Sequence, residues 1–459
     1  MIMESCGIFG ALMLNGENAV PYVIEGLIAL QHRGQESAGI AYVEKEELKV
    51  YKKMGMVTEV FGNGVMKKFK SFNAIGHVRY STRGRSDIQN SQPFHVRFRN
   101  EHFAIAHNGQ IENAEDLRNY FEKTGTIFLT ETDTEIILHM LIKKLNKRIS
   151  KWTLEDIAQI IFENIFPSYS LLILFKDRMI AVRDKKGYRP LFYYVSKEGY
   201  FVSSEDSAFN FLNAASEKVY EINPGEAIEF SVHGVKKYRV PDTEKMFCFF
   251  EHIYFARPDS NIFGKNVHFV RKKLGELCAR ENPVDADIVV PVLDSGFSAA
   301  IGYSKESKIP IEMGLMRNRY VGRTFISPDQ REREIGVKRK LPPIPEVIKG
   351  KKIVLVDDSI VRGTTMKKIV KMLKDSGAKE VHVRIASPKV INTCRWGVDI
   401  PDKRELIAAN FSLDEMVKEI EADSIGYVSL KSIKSFLMSE YDNYCFNCFI
   451  ENIKRVNTR

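Results

Sequence analysis

Two adjacent carboxylates at the end of an apolar run carry the strongest chemical signal: Lys352-Ile353-Val354-Leu355-Val356-Asp357-Asp358-Ser359-Ile360-Val361-Arg362-Gly363-Thr364-Thr365. A buried strand here delivers Asp357 and Asp358 to its C-terminal end, and a loop bearing hydroxyls and glycine leads into a helix. In open parallel sheets, ligands bind at that edge. Backbone N–H groups of the loop, the Thr hydroxyls and the helix N-terminus together make an anion site suited to a phosphate. Two carboxylates beside a phosphate make electrostatic sense when they hold ribose hydroxyls or a divalent cation. A capped turn between strand and helix explains one Asp, but explains poorly the pair followed by Arg-Gly-Thr-Thr.

Cysteine is the second signal. Cys6-Gly7-Ile8-Phe9-Gly10 opens an apolar strand, and an early Cys taken alone is most often a buried apolar residue. Cys445 and Cys448 form a C-x-x-C, with Cys248 and Cys394 far away in sequence. From spacing, zinc fits such a quartet as well as an iron–sulfur cluster. Cys278 shares an apolar helical stripe with Val270, Leu274 and Leu277 and belongs to a core. Six cysteines in 459 residues without a secretory leader suggest thiols that are reduced, catalytic or metal-bound, in a cytoplasmic protein. Lys and Arg number 68 against 59 acids, a net charge of +9. That excess suits a phosphorylated substrate, nucleic acid or merely solvated lysines. With 44% hydrophobic and 28% charged residues, the chain is neither disordered nor a rod. No apolar run reaches about 18 residues, so no membrane span is expected.

The elements that must position these groups differ between the halves. To about residue 235, short β-runs dominate: Ile8–Leu14, Ala74–Arg79, His102–Ala106, Ser170–Phe175, Met179–Arg183 and Phe192–Val195, punctuated as in antiparallel sheets. Two helices interrupt them. One, over 20–31, places Val20, Val23, Ile24, Leu27 and Gln31 on one face. The other starts at Thr132-Asp133-Thr134-Glu135, a capping-box pattern. Helices on such sheets give a layered α+β domain. Beyond about 241, Asp287–Leu293, Lys352–Val356 and Val381–Ala386 read as buried strands alternating with helices from Phe297 and from the Thr364 region, which describes an α/β parallel sheet. From about 403 the chain reads as helical. The expected domains are 6–240 and 241–459, after a leader at 1–5.

The Asp357–Thr365 loop resembles the signature of type I phosphoribosyltransferases, which bind 5-phosphoribosyl 1-pyrophosphate (PRPP). Val290–Gly296, with Leu293 where the family usually has Pro, resembles their pyrophosphate loop. Arg317–Ile326, with Gln330, Arg331 and Lys338, resembles the mobile loop that closes over PRPP. The resemblance implies PRPP contacts from Asp357, Asp358, Ser359, Arg362, Gly363, Thr364, Thr365, Asp294, Arg323 and Lys338, and one Mg²⁺ per subunit on Ser295, Asp357 and Asp358. In the first half, Cys6–Gly10, Leu30–Gly39, Gly76–Thr82, His107–Gly109 and Thr132–Glu135 resemble, in that order, class II glutamine amidotransferases, which are N-terminal nucleophile hydrolases. That likeness implies loss of the leader, so that the Cys6 α-amine takes the thiol proton. It also implies an oxyanion hole from Asn108 and Gly109, and glutamine held by Arg79 and Asp133. It gives His77 and His107 structural roles.

Together the halves resemble glutamine–PRPP amidotransferases of the bacillus-like type, nearly end to end. This implies one [4Fe–4S] cluster per subunit on Cys248, Cys394, Cys445 and Cys448, and Tyr254 and Arg257 lining or coupling an ammonia passage. It further implies feedback by purine nucleotides and a homo-oligomer, a tetramer by family resemblance, with no nucleic-acid or membrane partner. Two other classes compete. A hexosamine-forming amidotransferase is disfavoured by the Asp357–Thr365 loop. A PRPP-sensing DNA regulator is disfavoured by the intact glutaminase segments and by the lack of a helix-turn-helix candidate at either end.

Overall fold

Strand Gly7–Met13 is apolar at every position but its glycines and is buried along its whole length, so it can sit only inside a sheet with both faces covered. In the computed structural model, which describes residues 6–62, 64–80, 86–99, 101–146, 152–213, 218–241, 243–318, 339 and 341–451, it is the centre of a seven-stranded sheet. The order is Val219–Glu221, Phe192–Val195, Gly199–Ser203, Gly7–Met13, Asn73–Arg79, Ser37–Glu44, Glu47–Met54. Its antiparallel register sets Gly7 against Val78, which brings Cys6, one residue earlier, beside Arg79. A six-stranded antiparallel sheet, Gly234–Arg239, Glu226–Ser231, Arg178–Arg183, Tyr169–Phe175, Glu101–Gly109, Phe94–Phe98, faces the first.

Ile8, Leu12, Ile75, Ala104, Leu172 and Ala181 fill the space between the sheets. Helix Ala19–Ala29 covers the outer face of the first sheet through Val23 and Leu27. Helices Asp133–Leu145 and Leu154–Asn164 cover the second through Ile137, Leu141, Ile157 and Ile161. Four layers result, helix–sheet–sheet–helix, because each sheet is apolar on both faces.

The second half is built around a four-stranded parallel sheet, Ile288–Pro291, Lys352–Asp357, Glu380–Ile385 and Ser424–Tyr427. Helix Thr364–Asp375 buries Met366, Ile369, Val370 and Leu373 against it, and Gly377 ends that segment with φ +93, a backbone region open to glycine. Helices Val267–Glu281 and Phe297–Ser307 meet at two glycines. A Cβ on Gly275 would run into the Ala299 carbonyl, and one on Gly302 into that of Lys272. Cys278 is core, with no exposure.

Several sequence expectations are corrected. Thr132 caps helix Asp133–Leu145 by position but makes no side-chain capping bond. Glu135 accepts instead from the Leu129 and Thr130 N–H groups, at 2.8 and 2.7 Å, pinning the preceding loop. The first helix stops at Ala29, and Gln31 falls in the separate 3₁₀ turn Gln31–Arg33. Helices Ala114–Lys123 and Leu154–Asn164 were not foreseen, although the Thr153/Asp156 capping box of the latter was visible. Strand Ser424–Tyr427 lies inside the stretch read as helical, because four residues give too short a pattern to show a period. No helix among the described residues is long and apolar enough to cross a membrane.

The halves meet through charges withdrawn from solvent. Arg33, Arg189, Glu205 and Glu251 have no side-chain exposure. Arg33 Nη1 donates to Glu205 Oε1 at 2.6 Å and Nη2 to Glu251 Oε1 at 2.8 Å, while Arg189 Nη1 reaches Glu251 Oε1 at 2.9 Å. The other Glu205 oxygen accepts from the Arg257 N–H and the Ser260 hydroxyl, at 2.9 and 2.6 Å. Burial alone would raise the Glu205 carboxyl, but His32 and Arg33 outweigh it and hold it far below the usual carboxylate range.

Two outcomes follow from this packing. Gly302→Ala forces the helix pair apart and should cost about 1–3 kcal/mol, read as a lowered urea midpoint with unchanged slope. Glu205 has a depressed folded pKa, so its stabilising share is complete above the ordinary Glu value of about 4.3 and disappears as pH falls below it. Acid titration should therefore show wild type much more stable than Glu205→Gln at pH 7, with the gap narrowing steadily below about pH 4. A gap independent of pH would contradict the assigned charge.

Candidate active sites

The first site lies where strand ends of the two sheets converge. Cys6 is buried, its Sγ donating to the Tyr80 carbonyl at 3.4 Å and its own carbonyl accepting from Arg33 Nε at 3.1 Å. Burial pushes the thiol pKa up, the Tyr80 carbonyl contact and Arg79 draw it down, and Glu36 and Asp133 oppose that. Arg79 is buried beside Glu36, Nη1 to Oε2 3.8 Å. Asp133 is the first residue of its helix; its Oδ2 accepts from the Ile111 N–H at 2.9 Å, and its Oδ1 lies 3.4 Å from His107 Nδ1.

Strand Glu101–Gly109 ends at the same place. Asn108 is fully buried; its Nδ2 reaches Ser204 Oγ at 3.5 Å, and Ser204 Oγ accepts from the Ile8 N–H at 3.0 Å. One amide N–H of Asn108 therefore remains available to a developing negative charge. Gly109 has φ +144, and a Cβ there would collide with the Ser168 carbonyl, so glycine is required by conformation and by space. His77 Nε2 donates to the His107 carbonyl, 3.0 Å away, and burial pushes the ring pKa down to about 3. It is neutral and structural. His107 joins Thr134 and Asp133 at the same helix start. Ser81 and Thr82 lie outside the described residues.

The second site occupies the C-terminal edge of the parallel sheet. Asp357 closes strand Lys352–Asp357 and Asp358 follows it. Burial and the neighbouring Asp358 raise the Asp357 carboxyl well above its usual range, as two carboxylates sharing one site do. Ser295 Oγ, after the adjacent strand, donates to Asp357 Oδ1 at 3.3 Å, and Ser359 Oγ donates to Asp358 Oδ1. Gly363, at φ +78, caps helix Thr364–Asp375, aiming the N–H groups of Thr364 and Thr365 at the loop. Arg362 is exposed and bonds Glu405 at 2.7 Å, and the exposed Asp294 pairs with Arg317. Arg323, Gln330, Arg331 and Lys338 lie outside the described residues.

Between the sites stand aromatic groups. Tyr254 is raised by burial and by the charges of Asp358 and Asp357, with Arg271 opposing and Tyr80 adding a smaller push. Tyr80 is raised by burial and by Asp399 and Glu36, with Arg362 opposing. Sequence reasoning assigned no role to Tyr80, Arg33, Glu205, Glu251 or Asp399; Tyr80 could have been found as the neighbour of Arg79. Arg257 turns to Asp259, Nε to Oδ1 2.8 Å.

Cys248 and Cys445 are paired in a short parallel bridge. The Cys448 carbonyl accepts from Ile391 N at 2.9 Å, beside Cys394. None of the four cysteines is in a disulfide. Burial raises all four thiols, Cys248 to about 12; Cys394 pushes Cys248 up further, Cys248 and Cys394 push Cys445 up, and all three others push Cys448 up. The Arg189 guanidinium draws Cys248 and Cys394 down, and the Trp396 N–H reaches Cys394 Sγ at 3.3 Å. Among the described residues no three His, Cys, Asp or Glu close up enough to share a single ion.

Comparison with known proteins finds a relative for each half of the chain. A glutamine amidotransferase domain family matches residues 77–211, and a phosphoribosyl transferase domain family matches residues 263–389. The chain is 46% identical over 444 residues to an amidophosphoribosyltransferase of Methanocaldococcus jannaschii, covering 93% of each. It is 43% identical over 452 residues to that of Bacillus subtilis, covering 97% of this chain and 93% of the relative. A solved B. subtilis glutamine PRPP amidotransferase, complexed with ADP and GMP, superposes with TM-score 0.88 at 42% identity, over 98% of this chain and 97% of the other. On this evidence of sequence and fold, the chain belongs to the amidophosphoribosyltransferase family.

Proposed function

We propose that the chain converts glutamine, PRPP and water into 5-phosphoribosylamine, glutamate and pyrophosphate, the first committed step of purine synthesis. The observation that carries this reading is the coexistence of two sites in one molecule: Cys6 with Arg79, Asn108 and Asp133, and the Asp357-Asp358 pair at a parallel-sheet edge. Removal of residues 1–5 makes the Cys6 amine the general base, with an unperturbed pKa near 8. The thiolate attacks the glutamine amide, Asn108 and Gly109 hold the oxyanion, ammonia departs, and water releases glutamate from the thioester. Arg79 clamps the substrate carboxylate and Asp133 its ammonium.

Ammonia then passes by Tyr80 and Tyr254 to C1 of PRPP, with Arg257 at the rim. At the second site Asp357 and Asp358 hold the ribose hydroxyls, and Ser359, Arg362, Gly363, Thr364 and Thr365 grip the 5-phosphate, so catalysis is largely positioning. Asp294, Arg323 and Lys338 attend the pyrophosphate. One Mg²⁺ on Ser295, Asp357 and Asp358 would neutralise the departing pyrophosphate; such an ion takes only one or two carboxylates and draws its other ligands from substrate and water, which fits this sparse site. Purine nucleotides as inhibitors and a tetrameric assembly belong to the same reading.

The four cysteines fit an iron–sulfur cluster. By ligand type alone zinc would suit four thiolates as well as a cluster would, so the surroundings of the sulfurs carry the choice. A buried arginine and an N–H beside the sulfurs suit an anionic cluster. Cys248, Cys394, Cys445 and Cys448 would hold it, and it would supply a structural crosslink between the junction and the C-terminal segment.

Cys6→Ala should eliminate glutamine-dependent pyrophosphate release and spare ammonia-dependent release, whereas Asp358→Asn should eliminate both. Loss of both activities in Cys6→Ala would refute the division of labour. N-terminal sequencing of active protein should begin Cys-Gly-Ile. Anaerobically purified protein should be brown with about four irons per chain; zinc in their place would overturn the cluster assignment.

A further inference from the structure

One carboxylate from the second half of the chain connects the two working parts of the amide-cleaving site. Glu251 lies in the π-helical turn Glu251–Phe255, an irregularity often found where a side chain must be aimed. Its Oε1 accepts from Arg33 Nη2 at 2.8 Å and from Arg189 Nη1 at 2.9 Å, and its Oε2 accepts from Arg33 Nη1 at 3.0 Å. Each arginine then reaches a backbone carbonyl. Arg33 Nε donates to that of Cys6, the nucleophile, at 3.1 Å. Arg189 Nη2 donates to that of Trp396 at 2.9 Å, which also accepts from Ser168 Oγ at 2.6 Å.

Ser168 stands directly behind the oxyanion strand. Its carbonyl accepts from Gln110 N at 2.9 Å and occupies the space a Cβ on Gly109 would need. Gly397 presses on the same place from the other half: a Cβ there would lie 3.0 Å from Gln110 N and from the Gly109 carbonyl carbon. A path of hydrogen bonds, charge-assisted from Cys6 through Arg33, Glu251 and Arg189 to Trp396, thus continues through the Ser168 hydroxyl, and the Ser168 carbonyl bonds Gln110 N and packs against Gly109.

A buried carboxylate between two arginines could serve merely as their counter-ion, since one partner left alone in the interior is strongly destabilising. The endpoints of the path argue for more. Both arginines spend a further donor on the backbone of a segment whose position decides the reaction, one behind the nucleophile and one behind the oxyanion hole. Resting on the function proposed above, we infer that Glu251 is a positioning residue for glutamine cleavage, setting the distance between Cys6 and the Asn108–Gly109 strand. The first half therefore reaches full glutaminase competence only when the second half supplies this carboxylate.

Glu251→Gln keeps the shape and removes the charge. A misplacement on the order of 1 Å costs about 100-fold in rate, so glutamine-dependent kcat should fall about 10- to 100-fold. KM for glutamine should change less than about 3-fold because Arg79 and Asp133 are untouched, and ammonia-dependent turnover should persist. Ser168→Ala, a smaller change with no charge left unpaired, should give the same split in milder form and decides the matter if Glu251→Gln does not fold. Equal loss of both activities, a change in KM alone, or a Ser168→Ala enzyme of unaltered kcat would overturn the inference. Cys6→Ala run alongside separates the two levels: glutamine turnover that survives it overturns the nucleophile assignment itself, whatever the Glu251 variant does.

Discussion

Four charged side chains without solvent exposure, Arg33, Arg189, Glu205 and Glu251, form the constraint on which the rest of this molecule depends. Removing such groups from water costs several kcal/mol per ion, recovered only when geometry is good and the remaining donors and acceptors are met. Here most are met by the carbonyls of Cys6 and Trp396, the Ser260 hydroxyl and the Arg257 N–H, while the buried Arg189 Nε has no hydrogen-bond partner among the described residues. Those partners come from both halves of the chain. The network therefore forms only in one arrangement of the halves, and an apolar interface of equal area would lack that specificity.

That arrangement explains how two chemistries share a molecule. The sandwich offers converging strand ends, where Cys6, Arg79 and Asn108 are held by registers that cannot slip without exposing a buried face. The parallel sheet offers its C-terminal edge, where Asp357 and Asp358 arrive together. Tyr80 and Tyr254 are set between them, each under the electrostatic influence of groups from the other half.

The cysteine quartet illustrates a different economy. Cys394 is two residues from Trp396, whose carbonyl anchors Arg189 and Ser168, and Cys248 is three residues from Glu251. Whatever fixes the quartet also fixes the segments that buttress the amide-cleaving site. Tyr188 stacked on Trp396, centroids 5.3 Å apart, and the short bridge between Cys248 and Cys445 add to the hydrogen bonds that hold these segments.

Much of this was legible in the residues. Apolar alternation located six strands of the first half to within two residues at each end except where Glu101–Gly109 runs on to Gly109, and the Asp-Asp loop identified its sheet edge, because periodicity and turn chemistry are local. Local pattern failed where elements were short or a side chain had a distant alternative: strand Ser424–Tyr427 has too few residues to show a period, and Glu135 abandoned the capping box for the Leu129–Thr130 backbone. The sequence alone determined the residue types that perform the chemistry and the elements that carry them. Only the tertiary structure decided that Arg33, Glu205, Glu251 and Trp396 belong to the site, because a buried charge is specified by partners up to 218 residues away, and no neighbour in the chain announces them.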